Sequence, residues 1–426
     1  MLIRKAYRFR LKTNTESERV LELFAGHCRF VWNQFWRIND NRLYRLLPIM
    51  RYQEMAFWLT LWKKSEDRGW LSEAHSQVLQ QKIMDLDRAY KDAFDRDQPN
   101  KRLPVLRRKQ IHNSFRFVQG FKVDNRRLYL PKIGWVSFFK SQDIVGHQKN
   151  ITISKRQGQW YASVQVEQEV VQPVHGAKSV IGVDLGIAKL VTLSDGTVYA
   201  SQNSYRHHQA RLGKEQCKLA KRKKYSQNWT KQSRRVHRVH ARITNVRRDY
   251  LHKISDQVCK NHAMICIEDL KISNMSRSAR GTRDAPGVNV KAKSSLNKSI
   301  LDQGWYEFRR QLEYKSIWRG GQVVAVDPRY SSQLCSVCGH GSKNNRLSQA
   351  MFCCQSCGFT LNADVNAARN ILARGIKSMA AGQAVSVCGE IPPGVSAKQK
   401  PVRNRRPASR EKVSPNVDAH VGILGL

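Results

Sequence analysis

Apolar and charged residues alternate over residues 3–11 (Ile-Arg-Lys-Ala-Tyr-Arg-Phe-Arg-Leu), which predicts a strand. The period then changes to that of a helix. Thr15 with Glu18 forms a capping-box pattern, and Val20, Phe24, Cys28, Val31 and Phe35 follow on one helical face. Helical periodicity persists to about residue 97. Its clearest stretch begins near Ser72 and carries Val78, Leu79, Ile83, Leu86, Tyr90 and Phe94. Residues 98–110 turn to Asp, Pro, Asn, Lys and Arg and read as a basic linker. Extended runs return over 113–168: Phe115 to Val118, Phe121 to Val123, and Arg127 to Leu130, with a turn at Asp124-Asn125. Ile151–Ser154 and Trp160–Val166 form a hairpin about Gly158. Joined by residues 3–11, these strands predict a small barrel, with the helical module as an insertion. Pro173 to Lys178 marks the next boundary.

The run Val180-Ile-Gly-Val-Asp-Leu-Gly-Ile187 reads as a buried strand with one carboxylate, Asp184. Gly182 and Gly186 flank the acid and let a bulky partner approach the backbone. A lone acid in such a strand is costly without a counter-charge, and a metal ion is the usual remedy. Lys189–Leu193, the turn Ser194-Asp-Gly, and Thr197-Val-Tyr form a hairpin. From Tyr205 to about Lys260 the chain is dense in Arg, Lys and His. Leu212, Leu219, Val236, Val239, Ile243, Val246 and Leu251 recur beneath those charges at helical spacing. Two basic helices joined near Tyr225–Asn228 are predicted. Like charges at i, i+4 destabilise a helix unless something neutralises them, and phosphates would do so here, beside Tyr225 and Trp229.

Ala263–Glu268 is a second apolar strand ending in an acid. Ser273 to Leu296, rich in Ser, Arg, Gly and Lys, reads as a mobile loop able to cover a site. A helix around Ile300–Trp318 and a strand at Val323–Val326 follow, and Asp364 opens a further helix start. From about residue 376 no periodicity remains, and residues 395–416 are expected to be disordered.

The length of 426 residues allows roughly two to four domains. Seventy-five Lys and Arg stand against 33 Asp and Glu, a net charge of +42. Such an excess predicts a polyanionic partner, most simply nucleic acid. A membrane surface is the rival, but no apolar run is long enough to span one and neither end carries a basic amphipathic anchor. Residues 1–7 lack the apolar core of a signal peptide, so a cytoplasmic protein is expected. Cys28 and Cys266 sit in apolar patterns and read as packed thiols.

Most other cysteines crowd into residues 335–388. Cys335, Cys338, Cys354 and Cys357 form C-x2-C-x15-C-x2-C with Gly after each second cysteine, the spacing of a closed tetrahedral Zn²⁺ site. Cys353 adjoins a ligand, but only Cys354 gives the two-residue spacing. Cys388 falls in the tail.

Asp184, Glu268 and Asp364 follow the order of acids in the RNase H-like α/β fold. That chemistry uses hard oxygen ligands around two Mg²⁺ ions about 3.5–4 Å apart. Taken singly, each acid has a plainer role open to it: Asp184 can cap or pair, Glu268 can bridge to a basic helix, and Asp364 can be an N-cap.

With these residues assembled, the chain resembles TnpB, the OrfB-type protein of bacterial insertion sequences, related to type V CRISPR effectors. The matching stretches are Gly182–Gly186, Ile267–Leu270, Pro328–Gly339, Cys354–Gly358 and Ala363–Ile371, with Arg29–Asn33, Leu79-Gln80 and Leu128–Pro131 in the N-terminal half. Many relatives carry an acid where this chain has Asn362. The resemblance implies a multidomain α+β protein. A split β-barrel wedge domain (1–12 and 111–176) would hold an inserted helical recognition domain (13–110). An RNase H-like (RuvC) domain (177–330 and 361–380) would hold an inserted zinc ribbon (331–360), with a disordered basic tail at 381–426. It implies an RNA-guided, Mg²⁺-dependent DNA endonuclease with Asp184, Glu268 and Asp364 as catalytic metal ligands. The partners implied are a guide RNA from the transposon end and double-stranded target DNA, bound by a monomer with one RNA at the bacterial nucleoid. Tyr52 and Gln80 would read a short motif beside the target while guide pairing reads the rest. A nuclease-inactive RNA-guided repressor and a strand-transfer transposase are the alternatives. The first would lack an acid, which this chain does not, and the second shows no separate transposase domain.

Overall fold

The computed structural model describes residues 1–108 and 113–387, with side chains to residue 380. Strand β1 (Leu2–Lys12) leads into three helices, α1 (Thr15–Tyr44), α2 (Tyr52–Lys64) and α3 (Ser76–Phe94). Strands β2 (Ser114–Phe117), β3 (Lys122–Asp124), β4 (Arg127–Leu130), β5 (Gly134–Phe139), β6 (His147–Arg156) and β7 (Gln159–Glu169) follow. They join β1 in an antiparallel sheet ordered β2-β6-β7-β1-β5-β4-β3. Among the described residues the pairings end at β2 and β3. What is present of the expected barrel is therefore a seven-stranded antiparallel sheet.

The helices lie between β1 and β2 in the chain and share one core with the sheet. Phe24 of α1 packs on Phe115 of β2 with ring centroids 5.6 Å apart. The apolar faces of α1 and α3 thus bury against the inward residues of the strands, the main stabilising term in such a unit. The cap of α1 lies one residue earlier than predicted. Asn14 Oδ1 accepts from the Ser17 N–H (2.8 Å) and Ser17 Oγ accepts from the Asn14 N–H (3.0 Å), so Asn14 and Ser17 form the box that Thr15 and Glu18 were expected to form. The Ser72 stretch is a separate 3-10 turn, Gly69–Glu73, ahead of α3. Strand β5 had no sequence prediction.

A second sheet contains β8 (Val180–Leu185), β9 (Lys189–Leu193), β10 (Val198–Ala200), β11 (Met264–Glu268) and β12 (Gln322–Val326), ordered β10-β9-β8-β11-β12. The β8–β9–β10 part is antiparallel, whereas β11 runs parallel to both β8 and β12. The basic segment forms α4 (Ser204–Ala220) and α5 (Gln227–Asn261), which connect β10 to β11. Continuous apolar runs in β8, β9 and β11 suit strands covered on both faces, and their residues pack with α5 and with α8 (Trp305–Trp318).

The predicted loop from Ser273 to Leu296 is shorter than expected. A single turn, α6 (Ile272–Met275), takes its start, and α7 (Val290–Gln303) takes its end. The helix expected over Ile300–Trp318 breaks at Gly304, whose φ of +73° ends α7 and starts α8. After β12 come a short hairpin, β13 (Met351–Cys353) with β14 (Thr360–Asn362), and helix α9 (Ala363–Val387). That helix continues past residue 376, where periodicity was read as ending, and past the expected tail boundary at 381. The expected disorder of 395–416 lies outside the described residues. No helix among the described residues is long and apolar enough to cross a membrane.

Candidate active site, cysteine cluster and basic cleft

The parallel pairing of β8 and β11 sets the first two acids side by side. Val183 is opposite Ile267, so Asp184 and Glu268 occupy the next rung, at the carboxyl ends of their strands. Open sheets with parallel strands place their ligands at that edge. Asp364 is brought there by α9, through glycines. A Cβ at Gly182 would overlap the Ala368 carbonyl oxygen and lie 2.9 Å from Leu372 Cβ, and a Cβ at Gly375 would overlap Cys266 Sγ. Two bare Cα atoms, one on β8 and one on α9, thus let the helix lie directly on the sheet. Gly186 has a different role: a Cβ there would meet the Lys189 carbonyl oxygen at 2.6 Å, within the hairpin's own turn.

Asp364 is not the N-cap of α9. Asn362 Oδ1 accepts from the backbone N–H groups of Asp364 (3.1 Å) and Val365 (3.4 Å). The amide satisfies the orphan donors of the first turn, leaving the Asp364 carboxylate to face Lys189 Nζ (3.4 Å) and Arg346 Nη2 (3.7 Å).

The electrostatics tie the three acids together. Burial, then the negative charges of Glu268 and Asp364, push the Asp184 carboxyl up to about 7, against the opposing pull of Arg346. Burial also raises Glu268, which is only 7% exposed, while a hydrogen bond from Ser331 and the charge of Arg374 act the other way. Ser331 Oγ donates to Glu268 Oε1 at 2.7 Å. A half-buried set of repelling carboxylates gains from a divalent cation, and its donors are all hard oxygens, the type Mg²⁺ takes.

Sequence reasoning assigned no role to Lys189, Ser331 or Arg346. Ser331 falls within the Pro328–Gly339 stretch, so a motif was there without a partner to explain it. Arg346 had no local signal, because it lies between the cysteine pairs and reaches the acids only through the fold. Asn366 and Asn370, in the Asp364 stretch, prove to be docking residues. Asn370 Nδ2 donates to the carbonyls of Ser331 and Leu334 (both 2.8 Å), and Asn366 donates to Leu334 (2.7 Å) while accepting from the Ser336 N–H (3.0 Å). They hold α9 against the turn that carries Ser331 to Glu268.

The sulfurs of Cys335, Cys338, Cys354 and Cys357 all lie within 4.8 Å of one another, the one His, Cys, Asp or Glu cluster this tight among the described residues. Glu268 and Asp364 both act on Asp184, but the three carboxylates do not close to that spacing. Gly339 (φ +75°) and Gly358 (φ +70°) follow each second cysteine, and their N–H groups donate to the carbonyls of Cys335 and Cys354 (both 3.0 Å). Backbone N–H groups, led by that of Cys357, lower the Cys354 thiol to about 6. Cys353 is outside the cluster. Cys28 and Cys266 are buried thiols pushed up to about 11 by desolvation, as packed residues. Cys388 lies outside the described residues.

The first sheet and α5 enclose a basic cleft of about 450 Å³ lined by Arg8, Arg107, Arg156, Tyr161 and Arg248. Burial, then Arg156 and Arg248, lower the Arg8 pKa. None of these four arginines forms a salt bridge among the described residues; Arg8 lies over Tyr161 (4.0 Å) and Arg107 over Trp32 (3.5 Å). Arg8 and Arg107, half-buried and unneutralised, suit phosphates, with Arg156 and Arg248 adding charge beside them. Tyr225, expected among nucleic-acid contacts, is 74% exposed with its ring 5.6 Å from Trp229. Tyr52 is half-buried in the first turn of α2, and Gln80 is exposed on α3.

Paired acids at a strand edge, a four-cysteine knuckle and a cationic cleft on a +42 chain define a protein that acts on nucleic acid. Residues 163–279 match a family model, OrfB of IS605, described as a probable transposase. Residues 305–371 match the Cas12f1-like TNB domain. Residues 1–45 match an OrfB helix-turn-helix model, although here they form β1 and one long helix. InsQ of Escherichia coli K12, provisionally named an RNA-guided DNA endonuclease, is 50% identical over 403 residues, 93% of this chain and 97% of that protein. A Streptomyces pristinaespiralis protein with the same provisional name is 31% identical over 389 residues, 90% of this chain and 92% of its own. The chain belongs to the OrfB, or TnpB, family of insertion-sequence proteins. A solved structure of CasPhi-2 (Cas12j) bound to crRNA aligns over 87% of this chain and 97% of its own at 10% identity, with a TM-score of 0.40.

Proposed function

We propose that this chain is an RNA-guided DNA endonuclease whose RuvC-like centre hydrolyses phosphodiesters. The observation that carries this is that the charges of Glu268 and Asp364 both bear on the buried Asp184 carboxyl, with Asp184 and Glu268 on one rung at the carboxyl ends of parallel strands and Asp364 brought in by α9. Asp184, Glu268 and Asp364 would hold two Mg²⁺ ions. With magnesium bound, such a site activates a water and offsets charge on the leaving 3′ oxygen. Ser331 orients the Glu268 carboxylate, and Lys189 and Arg346 place positive charge beside Asp364. The four cysteines would hold one structural Zn²⁺, closed to solvent chemistry.

The same reading divides the chain as the family resemblance does: a wedge sheet holding the α1–α3 recognition helices, then a RuvC-like sheet holding a zinc ribbon. A guide RNA from the transposon end pairs with one strand of double-stranded DNA, and the Arg8–Arg248 cleft takes up backbone phosphates. Tyr52 and Gln80 are the candidate readers of the motif beside the target; exposure of Gln80 suits that role.

The test uses protein purified with its RNA, whose sequence defines a matched target. With Mg²⁺, wild-type protein is expected to linearise a plasmid carrying that target and its flanking motif. Asp184→Ala is expected to bind the plasmid and lose about 1,000-fold or more in cutting rate, since such ligands supply several kcal/mol. Full cutting by that variant would end the assignment.

A further inference from the structure

The strand edge that carries the acids opens sideways into a cleft of about 520 Å³, and Glu268 lines both. That volume falls in the roughly 300–1,000 Å³ range of small-ligand sites. Its floor is apolar: Leu185 next to Asp184, Ile267 next to Glu268, Ile272 of α6 and Trp305 of α8. Its rim carries Tyr306, Lys271, Arg309, Arg310 and Glu313; Arg310 pairs with Glu307 and Arg309 with Asp269 and Glu313, so Lys271 is the rim cation without a salt bridge among the described residues. Tyr306 is 72% exposed, and its ring packs against no other aromatic ring or cation among the described residues. Trp305 is 4% exposed, yet its indole N–H has no hydrogen-bond partner. A buried donor left unpaired is an exception in folded proteins and calls for an acceptor.

We propose that this cleft binds the nucleobase of the nucleotide flanking the scissile phosphate, with Tyr306 as its stacking platform. The inference rests on the nuclease reading above and adds a subsite to it. An apolar floor with an exposed aromatic and the unpaired Lys271 at the rim matches one nucleotide: a flat base with a neighbouring phosphate. Adjacency sets which nucleotide it is. Glu268 touches the cleft, so a strand whose phosphate lies at the acids has its neighbouring base within reach of Tyr306. Stacking tolerates any base, which suits an enzyme whose target sequence is read elsewhere. Tyr306 is a base-positioning residue; it acts by holding the strand, and its effect is on where and how fast the acids meet the phosphate.

The experiment compares wild type, Tyr306→Ala and Tyr306→Phe, each purified with its RNA, in single-turnover cleavage of the matched target. Two targets are used: one intact, one with an abasic site at the nucleotide beside the cut. Tyr306→Ala is expected to cut the intact target about 10-fold more slowly, the usual scale for removing one stack, and to scatter the cut position. Tyr306→Phe, which keeps the ring, is expected to recover most of that rate. The abasic target is expected to slow wild type by a similar factor and Tyr306→Ala by no further amount. Equal rates for Tyr306→Ala and wild type, or additive losses from the ring and the base, would overturn the subsite while leaving the nuclease assignment intact. If wild type does not cut the matched target, it is the nuclease assignment that fails.

Discussion

Gly182 of β8 lies against the Ala368 carbonyl of α9 so closely that a Cβ on the glycine would overlap the oxygen. This approach joins two acids that are distant in sequence. Asp184 is two residues beyond Gly182 on the strand, and Asp364 is one helical turn before Ala368. Moving the helix outward by the width of a methyl group would draw Asp364 away from Asp184.

Gly182→Ala should therefore act twice. The forced shift of α9 should destabilise the protein by about 2–3 kcal/mol, as overpacking does, read as a lower thermal midpoint. It should also slow cleavage more than that destabilisation explains. Gly186→Ala, which crowds only its own hairpin turn, should leave α9 seated on the sheet; a comparison of rates at a temperature where both variants are folded separates the two effects.

The Asp184 carboxyl, pushed up to about 7, gives a pH dependence of defined sign. Below that pH, metal-free protein holds a proton that magnesium must displace. Half-saturating Mg²⁺ for cleavage should rise roughly tenfold for each unit below about pH 7 and level off above it. Without metal, the folded state keeps a proton that the unfolded chain releases near 3.8. This group's contribution to stability is thus fully present at low pH and lost as pH rises through about 7. Asp184→Asn should remove that slope from thermal midpoints measured in chelator.

Zinc content should separate adjacent cysteines. Purified wild-type protein should carry about one zinc per chain. Cys354→Ser should lose most of it, and Cys353→Ser should keep it, as measured by elemental analysis. Loss of metal from both variants would place Cys353 among the ligands.

The arginine cleft should register in the salt dependence of RNA binding. Replacing Arg8, Arg156 or Arg248 by Ala should each weaken binding across sequences. Each should also reduce the slope of log affinity against log salt by about 0.7–0.9 for every phosphate the arginine had neutralised. An unchanged slope in all three would mean that no phosphate enters the cleft.

Much of this protein is legible along the chain because the signals are local. The periods of α1 and α3, the β6–β7 hairpin at Gly158 and the two cysteine knuckles each depend on residues within a few turns of one another. Where a local rule misled, a near neighbour won. Asn14 caps α1 in place of Thr15, and Asn362 caps α9 in place of Asp364, because Thr15 and Asp364 already lie inside the helix and the Asn ahead of each faces the open N–H groups. Two apolar strands singled out Asp184 and Glu268 and a helix start singled out Asp364, but no spacing in the sequence says that they converge.

That meeting depends on packing between residues far apart in the chain. The sequence alone determined which segments bury apolar faces, which cysteines cluster and how strongly the chain attracts a polyanion, since these follow from composition and short periods. Only the tertiary structure decided that Ser331 serves Glu268, that Arg346 stands beside Asp364, that four arginines from different segments share one cleft, and that Tyr306 rims a cavity at the acids. Strand register and helix–sheet packing set those distances, and neither is written in any single stretch.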